Sequence, residues 1–336
     1  MDSLTQGLLG AATFAVVKDK EIGKKSLLIG AIAGTIPDLD VFLAPFFNNV
    51  EFLTVHRSVS HSIILAILLS LLLGAIFHRI YKKKQSQSKW MFAFFLAIMT
   101  HSILDWCTTY GTKLFSPFSS HLFSTNNIHV FEPIYTLILL TGVIILSVKN
   151  QPKIGRQKII NLTLLLSTLY LTWTFISKGI ANNHFVNELE KQHIEYEKLI
   201  VSPTPLNTIL WHGIVKTSNG YYFGTYSLFD KRENIEFQFE ASANMLIEKV
   251  NKNRLVKYYL EYTQDFPLIR ADENGNIKIF AIKYGPVNYS GKPEFVYPLS
   301  FNINNLEYEN IKIDYSGKQR GPVKNYRKLF NRIKGI

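Results

Sequence analysis

Six apolar stretches fall within roughly the first 180 residues, at about 3–17, 26–44, 62–79, 90–106, 131–148 and 159–178. Nothing else in the chain constrains its fold as strongly. A segment such as "SIILAILLSLLLGAIF" (62–77) has no polar face, so it must be buried in a large core or in lipid. A full bilayer crossing takes about 20 predominantly apolar residues. By that measure 62–79 and 131–148 are good spans and 159–178 is a fair one, whereas the two N-terminal stretches are short or interrupted, as in re-entrant or half-buried helices.

The residues after about 180 differ in kind. "NNHFVNELEKQHIEYEKLI" (182–200) is polar and helical in pattern, and "SPTP" (202–205) breaks it. Beyond it, "YYFGTYSLF", "NIEFQFEAS", "KIFAIKYG" and "FVYPLSFNIN" alternate or run β-branched and aromatic, and "DENGN" (272–276) is a good hairpin turn. The expected fold is a polytopic α-helical membrane domain over 1–180, followed by an α+β domain rich in antiparallel β-sheet over 181–336. The basic tail "KQRGPVKNYRKLFNRIKGI" (318–336) is partly amphipathic and suits contact with anionic lipid.

Composition agrees: 47% of the 336 residues are hydrophobic and the mean hydropathy is +0.07. A net charge of +12 would fit a nucleic-acid binder, but much of it lies in short loops between apolar runs, so no nucleic-acid partner is expected. The single cysteine, Cys107, excludes an intramolecular disulfide and a cysteine-rich zinc ribbon and reads as packing. Asp2 stands where a signal peptide carries its basic region, so no cleavable leader is expected.

The basic loops set an orientation. "KDKEIGKK" (18–25), "HRIYKKKQSQSK" (78–89) and "KNQPKIGRQK" (149–158) should face the cytoplasm. Threading the chain through them places 38–60, 107–130 and everything after about 180 outside. Thr5, Gln6, Asp38, Asp40, His56, His61, His101, Asp105, His129 and Glu132 then gather near one external end. The threading used only Lys and Arg, so this convergence is independent of it.

Each polar group also has an ordinary reading. His101 and Asp105 in "THSILDWCTTYGT" share a helix face and can bind one ion or simply hydrogen-bond, but unpaired ionisable groups in lipid are costly and mark sites. In "HRSVSHS" (56–62), five-residue spacing keeps His56 and His61 off one straight helical face, which predicts a loop-to-helix turn with His61 in the first turn. Arg57 suits an interface anchor or a clamp for an anionic group. In "GTIPDLDVF" (34–42), Pro37 breaks the helix before Asp38 and Asp40, which in a soluble chain would be caps. Histidines and carboxylates without thiolate suit zinc, manganese or iron(II). His121, His129 and Glu132 are further candidate ligands, whereas His78 lies at the opposite face. No G-x-S-x-G, P-loop or dinucleotide fingerprint is present.

"MDSLTQGLLGAA", "GTIPDLD", "HRSVSHS", "THSILDWCTTYGT" and "LFSPFS", in this order, resemble the bacterial inner-membrane family of YdjM-like metal-dependent hydrolases over about the first 180 residues. The resemblance implies metal ligands at Asp38, Asp40, His56, His61, His101 and Asp105. This chain departs from the family at Gln6, where members commonly carry His. The His101-to-Asp105 spacing is also distantly similar to the zinc-dependent phospholipase C and P1 nuclease group.

The resulting expectation is a membrane-bound metal-dependent hydrolase, with one or more divalent ions, zinc foremost. Asp38 or Asp105 would take a proton from water and Arg57 would stabilise charge on a phosphoryl group, with a lipid or lipid-linked phosphoester as substrate. The alternative is a non-catalytic membrane regulator or scaffold whose metal site is structural or degenerate.

Overall fold

The computed structural model describes residues 1–81, 86–148, 152–231, 234–288, 293–295, 297–307, 310–314 and 326–336. Parts of the second and third basic loops, and 318–325 of the tail, lie outside the described residues. The chain divides into two compact units, 1–43 with 56–175, and 44–55 with 176–336. Sequence placed the boundary near 180 and gave 44–55 to the first domain. Those twelve residues instead belong with the second unit because their helix, α3 (Asn49–Val55), buries Val50 in that unit's core.

All six apolar stretches of the first unit are helical: α1 (Ser3–Ile22), α2 (Lys25–Thr35) and its 3-10 continuation Ile36–Phe46, α4 (Ile63–Ile80), α5 (Gln87–Trp106), α6 (Pro133–Val148) and α7 (Lys153–Lys191). Among the described residues, Lys25–Phe46, Ile63–Ile80 and Lys153–Lys191 are long and apolar enough to cross a membrane; α6 is a shorter apolar helix. Exposed Leu68, Leu72, Leu162, Leu165 and Leu169 would be costly in water and suit lipid. The α1–α2 crossing is held by small residues. A methyl placed on Gly34 would stand 2.8 Å from both the Gln6 carbonyl oxygen and Gly10 Cα, so the two backbones nearly touch. At the basic end, buried Asp19 of α1 takes a bidentate pair of bonds from Arg156 of α7, whose Nη1 also donates to the Leu146 carbonyl.

The second unit is sheet-rich and antiparallel. β1 (Lys198–Pro203), β2 (Leu210–Thr217), β3 (Gly220–Ser227) and β4 (Gln238–Ala241) form one sheet in that order. β5 (Pro267–Ala271), β6 (Asn276–Ala281), β7 (Leu299–Asn302) and β8 (Lys312–Ile313) form another. Ile214, Tyr221 and Phe223 of the first meet Leu268 and Phe280 of the second in a shared core. The expected 272–276 hairpin joins β5 to β6, with Gly275 at φ 79° and Asp272 Oδ1 accepting from the Asn274 and Asn276 amides. The short helix α8 (Ile247–Val250) precedes α9 (Arg254–Thr263), which packs Leu255, Val256 and Tyr259 into a second core. Within the basic tail, α10 (Tyr326–Ile333) buries Leu329 and pairs Arg332 with Asp230, so one face is spent on protein.

Candidate metal centre

Three local breaks in helical regularity bring distant residues together. Pro37 follows the end of α2, and the chain tightens into a 3-10 helix that carries Asp38 and Asp40. Residues 56–62 turn through a loop in which Arg57 adopts φ 60°, a left-handed conformation rare for a side chain of its size. A 3-10 turn Val59–His61 then delivers His61, and Ser62 caps α4 by accepting from the Leu65 amide. His61 therefore precedes the helix and does not sit in its first turn. His101 and Asp105 lie one turn apart at the buried end of α5.

Asp38, His61, His101 and Asp105 each offer one ligand atom, and these four atoms lie within 4.8 Å of one another. His61 Nε2 is 3.1 Å from His101 Nε2. Both nitrogens stand 3.4 Å from Asp38 Oδ1, and they stand 3.3 and 3.7 Å from Asp105 Oδ2. The side chains of His61, His101 and Asp105 are fully buried, and that of Asp38 is 19% exposed.

The hydrogen-bond partners fix which ring atoms are bare. His101 Nδ1 lies 2.6 Å from the Gly34 carbonyl, which can only accept, so Nδ1 carries a proton and, in the neutral ring, Nε2 a lone pair. Ser60 Oγ donates to Asp40 Oδ2 at 2.6 Å and lies 2.9 Å from His61 Nδ1. Its proton is therefore committed to Asp40, it accepts from His61 Nδ1–H, and in the neutral ring His61 Nε2 carries a lone pair as well. Two imidazole lone pairs and two carboxylate oxygens thus converge. With both rings neutral, four acceptors meet and a cation among them would satisfy all four; with the rings protonated, their Nε2–H groups would instead face Asp38 and Asp105.

A divalent ion fits. Ligand atoms at about 2.0–2.2 Å from zinc sit roughly 3.3–3.5 Å apart around a tetrahedron, close to the spacings here. Asp38 and Asp105 supply the anionic oxygens, and each imidazole is oriented through its other nitrogen as metal-bound histidines are. Asp105 Oδ2 has no hydrogen-bond donor, although Arg57 Nε approaches it at 3.1 Å. Its other oxygen accepts from Gln6 Nε2 at 2.9 Å and meets the Met1 amino group. Among the described residues Gln6 Oε1 is buried without a partner.

The remaining expected residues take other places. Asp40 and His56 pair with each other at 2.8 Å, and Asp40 also accepts from the Arg57 amide at 3.1 Å. Asp40 touches the group only through Ser60 and His61, so it orients a ligand. Arg57 is 5% exposed, with its guanidinium over the Tyr110 ring and Nη1 donating to Thr108 Oγ1. It neutralises Asp105 and is not an open clamp. Glu132 accepts from Tyr170, and burial pushes its carboxyl up to about 6. His129 turns back on the Phe131 backbone, and His121 packs on Phe123. Cys107 is buried in an apolar cluster that pushes its thiol up to about 11, which suits packing and not nucleophilic attack. Sequence reading missed the Gly34 carbonyl and Ser60. The adjacency of Ser60 to His61 was the available signal for Ser60, and the Gly34 contact had none.

The YdjM inner membrane protein family model matches residues 1–181. Uncharacterized protein YfhP of Bacillus subtilis (strain 168) is 26% identical over 231 residues, 67% of this chain and 68% of that protein. No solved structure matches. The match spans more than half of the chain and includes all four converging residues, and the chain therefore belongs to the YdjM inner membrane protein family.

Proposed function

We propose that the chain is a membrane-bound metal-dependent hydrolase acting on a phosphoester or lipid headgroup at the outer face of the cytoplasmic membrane. The observation that carries this reading is the meeting of four atoms able to bind a metal, three from fully buried side chains and one from Asp38, which is 19% exposed. Zinc, with manganese or iron(II) as alternatives, would supply Lewis-acid chemistry there, lowering the pKa of water and polarising a phosphoryl oxygen.

The chain's own residues divide the remaining work. Among the described residues Asp38 Oδ2 meets only Ser3 Oγ, at 3.5 Å, so this oxygen is placed to take a proton from attacking water. Asp105, with Oδ1 accepting from Gln6 and Oδ2 beside Arg57, holds charge in place. Arg57, fixed by burial and its left-handed backbone, is a standing positive charge that offsets negative charge developing on the substrate. Exposed Phe42, Phe115, Phe118 and Phe131 suit an interfacial belt, which supports a substrate reacting at headgroup level. The loop charges support an external C-terminal unit.

One observation favours the alternative, a non-catalytic regulator or scaffold. Four protein ligands close a zinc tetrahedron, whereas catalytic zinc sites commonly keep three and an open position. Elemental mass spectrometry on detergent-purified wild type, His101→Ala and Asp105→Ala, followed by a phospholipid and phosphoester hydrolysis screen, separates the readings. Stoichiometric metal lost in both variants, with metal-dependent turnover in wild type, is the expected result. Absence of metal after repletion refutes the hydrolase and leaves a non-catalytic protein with a degenerate site, and tightly held four-coordinate zinc without turnover supports the scaffold.

A further inference from the structure

A cleft of about 500 Å³ opens at the basic end of the helical unit, lined by Lys20, Lys153, Ile154, Gln157, Lys158 and Asn161. It is remote from the metal centre, since Lys20 lies fourteen residues along α1 from Gln6, about 21 Å at helical rise. Nearby acids are already engaged: Asp19 by Arg156, and Glu21 by Lys18 with Lys89 beside it. Lys20, Lys153 and Lys158 form no ion pair among the described residues, so three positive charges converge on a cavity without a counterion. Gln157 donates to Asn161 Oδ1, and among the described residues its own Oε1 is buried without a partner, which adds polar lining beside the lysines.

What continues from the cleft decides the ligand. Ile154, Lys158 and Asn161 of the cleft share one face of α7 at three- and four-residue spacing, and the same face continues through Leu165 and Leu169, each 55% exposed. A basic, amide-lined cleft therefore leads directly into an exposed apolar stripe. A soluble phosphate would use only the first part, whereas a phospholipid uses both, its headgroup among the lysines and its acyl chains along the leucines.

We propose that this cleft is a specific binding site for an anionic phospholipid, separate from the metal centre. The lipid acts as a bound structural partner at the basic end, and the site involves no chemical step.

Native mass spectrometry of the full chain in detergent, titrated with phosphatidylglycerol, tests this. Phosphatidylcholine and inorganic phosphate are run alongside, and melting temperature is the check on folding. Wild type is expected to retain phosphatidylglycerol in preference to phosphatidylcholine, with inorganic phosphate a poor competitor. At about fivefold per lysine, Lys20→Gln with Lys158→Gln should weaken retention roughly 25-fold with an unchanged melting temperature. Lys24→Gln with Lys25→Gln, equal in charge but outside the cleft, should retain lipid like wild type. Equal losses in the two double variants would overturn the cleft in favour of diffuse attraction. Equal retention of phosphatidylcholine would overturn anionic recognition, and full displacement by inorganic phosphate would overturn the lipid as ligand. Should the Gln pair melt lower, Leu165→Ser with Leu169→Ser reads the acyl stripe independently. Retention unchanged there would also overturn the assignment.

Discussion

Replacing Gly34 by alanine links packing to the metal centre through one atom. The added methyl would stand 2.8 Å from the Gln6 carbonyl oxygen and from Gly10 Cα, both backbone atoms that cannot rotate away. Relief to the 3.4 Å edge of ordinary contact needs about 0.6 Å, and overpacking of this kind costs about 2 kcal/mol. For a unit of this size that lowers the melting temperature by roughly 4–8 °C. The same residue's carbonyl accepts from His101 Nδ1 at 2.6 Å, so a shift of α2 loosens the bond that keeps His101 Nε2 bare and aimed. Losing such an orienting bond weakens metal binding by roughly 10–100-fold. The assay is a thermal melt paired with a chelator-competition titration of zinc in detergent. Gly179→Ala, where an added methyl meets nothing within 4 Å, is the control and should leave both readouts unharmed. A Gly34→Ala protein that melts lower but binds zinc like wild type would refute the coupling through the carbonyl; one unchanged in both would refute the close α1–α2 contact itself.

Three further outcomes follow from other contacts. Ser60→Ala removes the hydroxyl that orders His61 against Asp40, and should weaken zinc binding roughly 10–100-fold in the same titration while the melting temperature changes little. Arg156→Ala strands buried Asp19 and should cost about 3–5 kcal/mol in denaturant unfolding, whereas Asp19→Leu with Arg156→Met should recover most of that; failure of the double variant to recover would show that the pair's worth is not chiefly electrostatic. Glu132, with its carboxyl raised from 4.5 to about 6, binds its proton more tightly folded than unfolded. Stability tied to this group is therefore full below about pH 4.5 and falls by about 2 kcal/mol as pH rises through 6. Glu132→Gln keeps an acceptor for Tyr170 and should raise the melting temperature at pH 7.5 but not at pH 4; an equal change at both values would contradict the assignment.

Much of this molecule was legible in its sequence, because the relevant physics is local or compositional. Unbroken apolar runs have no alternative to burial, so all six stretches are helical. Pro37 cannot continue a regular helix, and α2 ends at Thr35 just before it. A 3.6-residue period puts His101 and Asp105 on one face wherever that helix lies, and "DENGN" carries its own turn. Pairing across chain distance was not legible. Nothing local distinguishes Asp38 from Asp40, yet a 3-10 segment, whose rise and turn differ from those of an α-helix, brings Asp38 to the four converging atoms and turns Asp40 toward His56 and Ser60. Val50 looked like part of the apolar half until its helix was seen in the core of the sheet-rich unit. Which ring nitrogen of each imidazole faces the cluster depends on a carbonyl and a hydroxyl brought up by other turns of chain. Composition and period therefore determined the helices and the residue types at the centre, while tertiary structure decided which side chains meet, because contact is set by how whole elements pack and not by the spacing within any one of them.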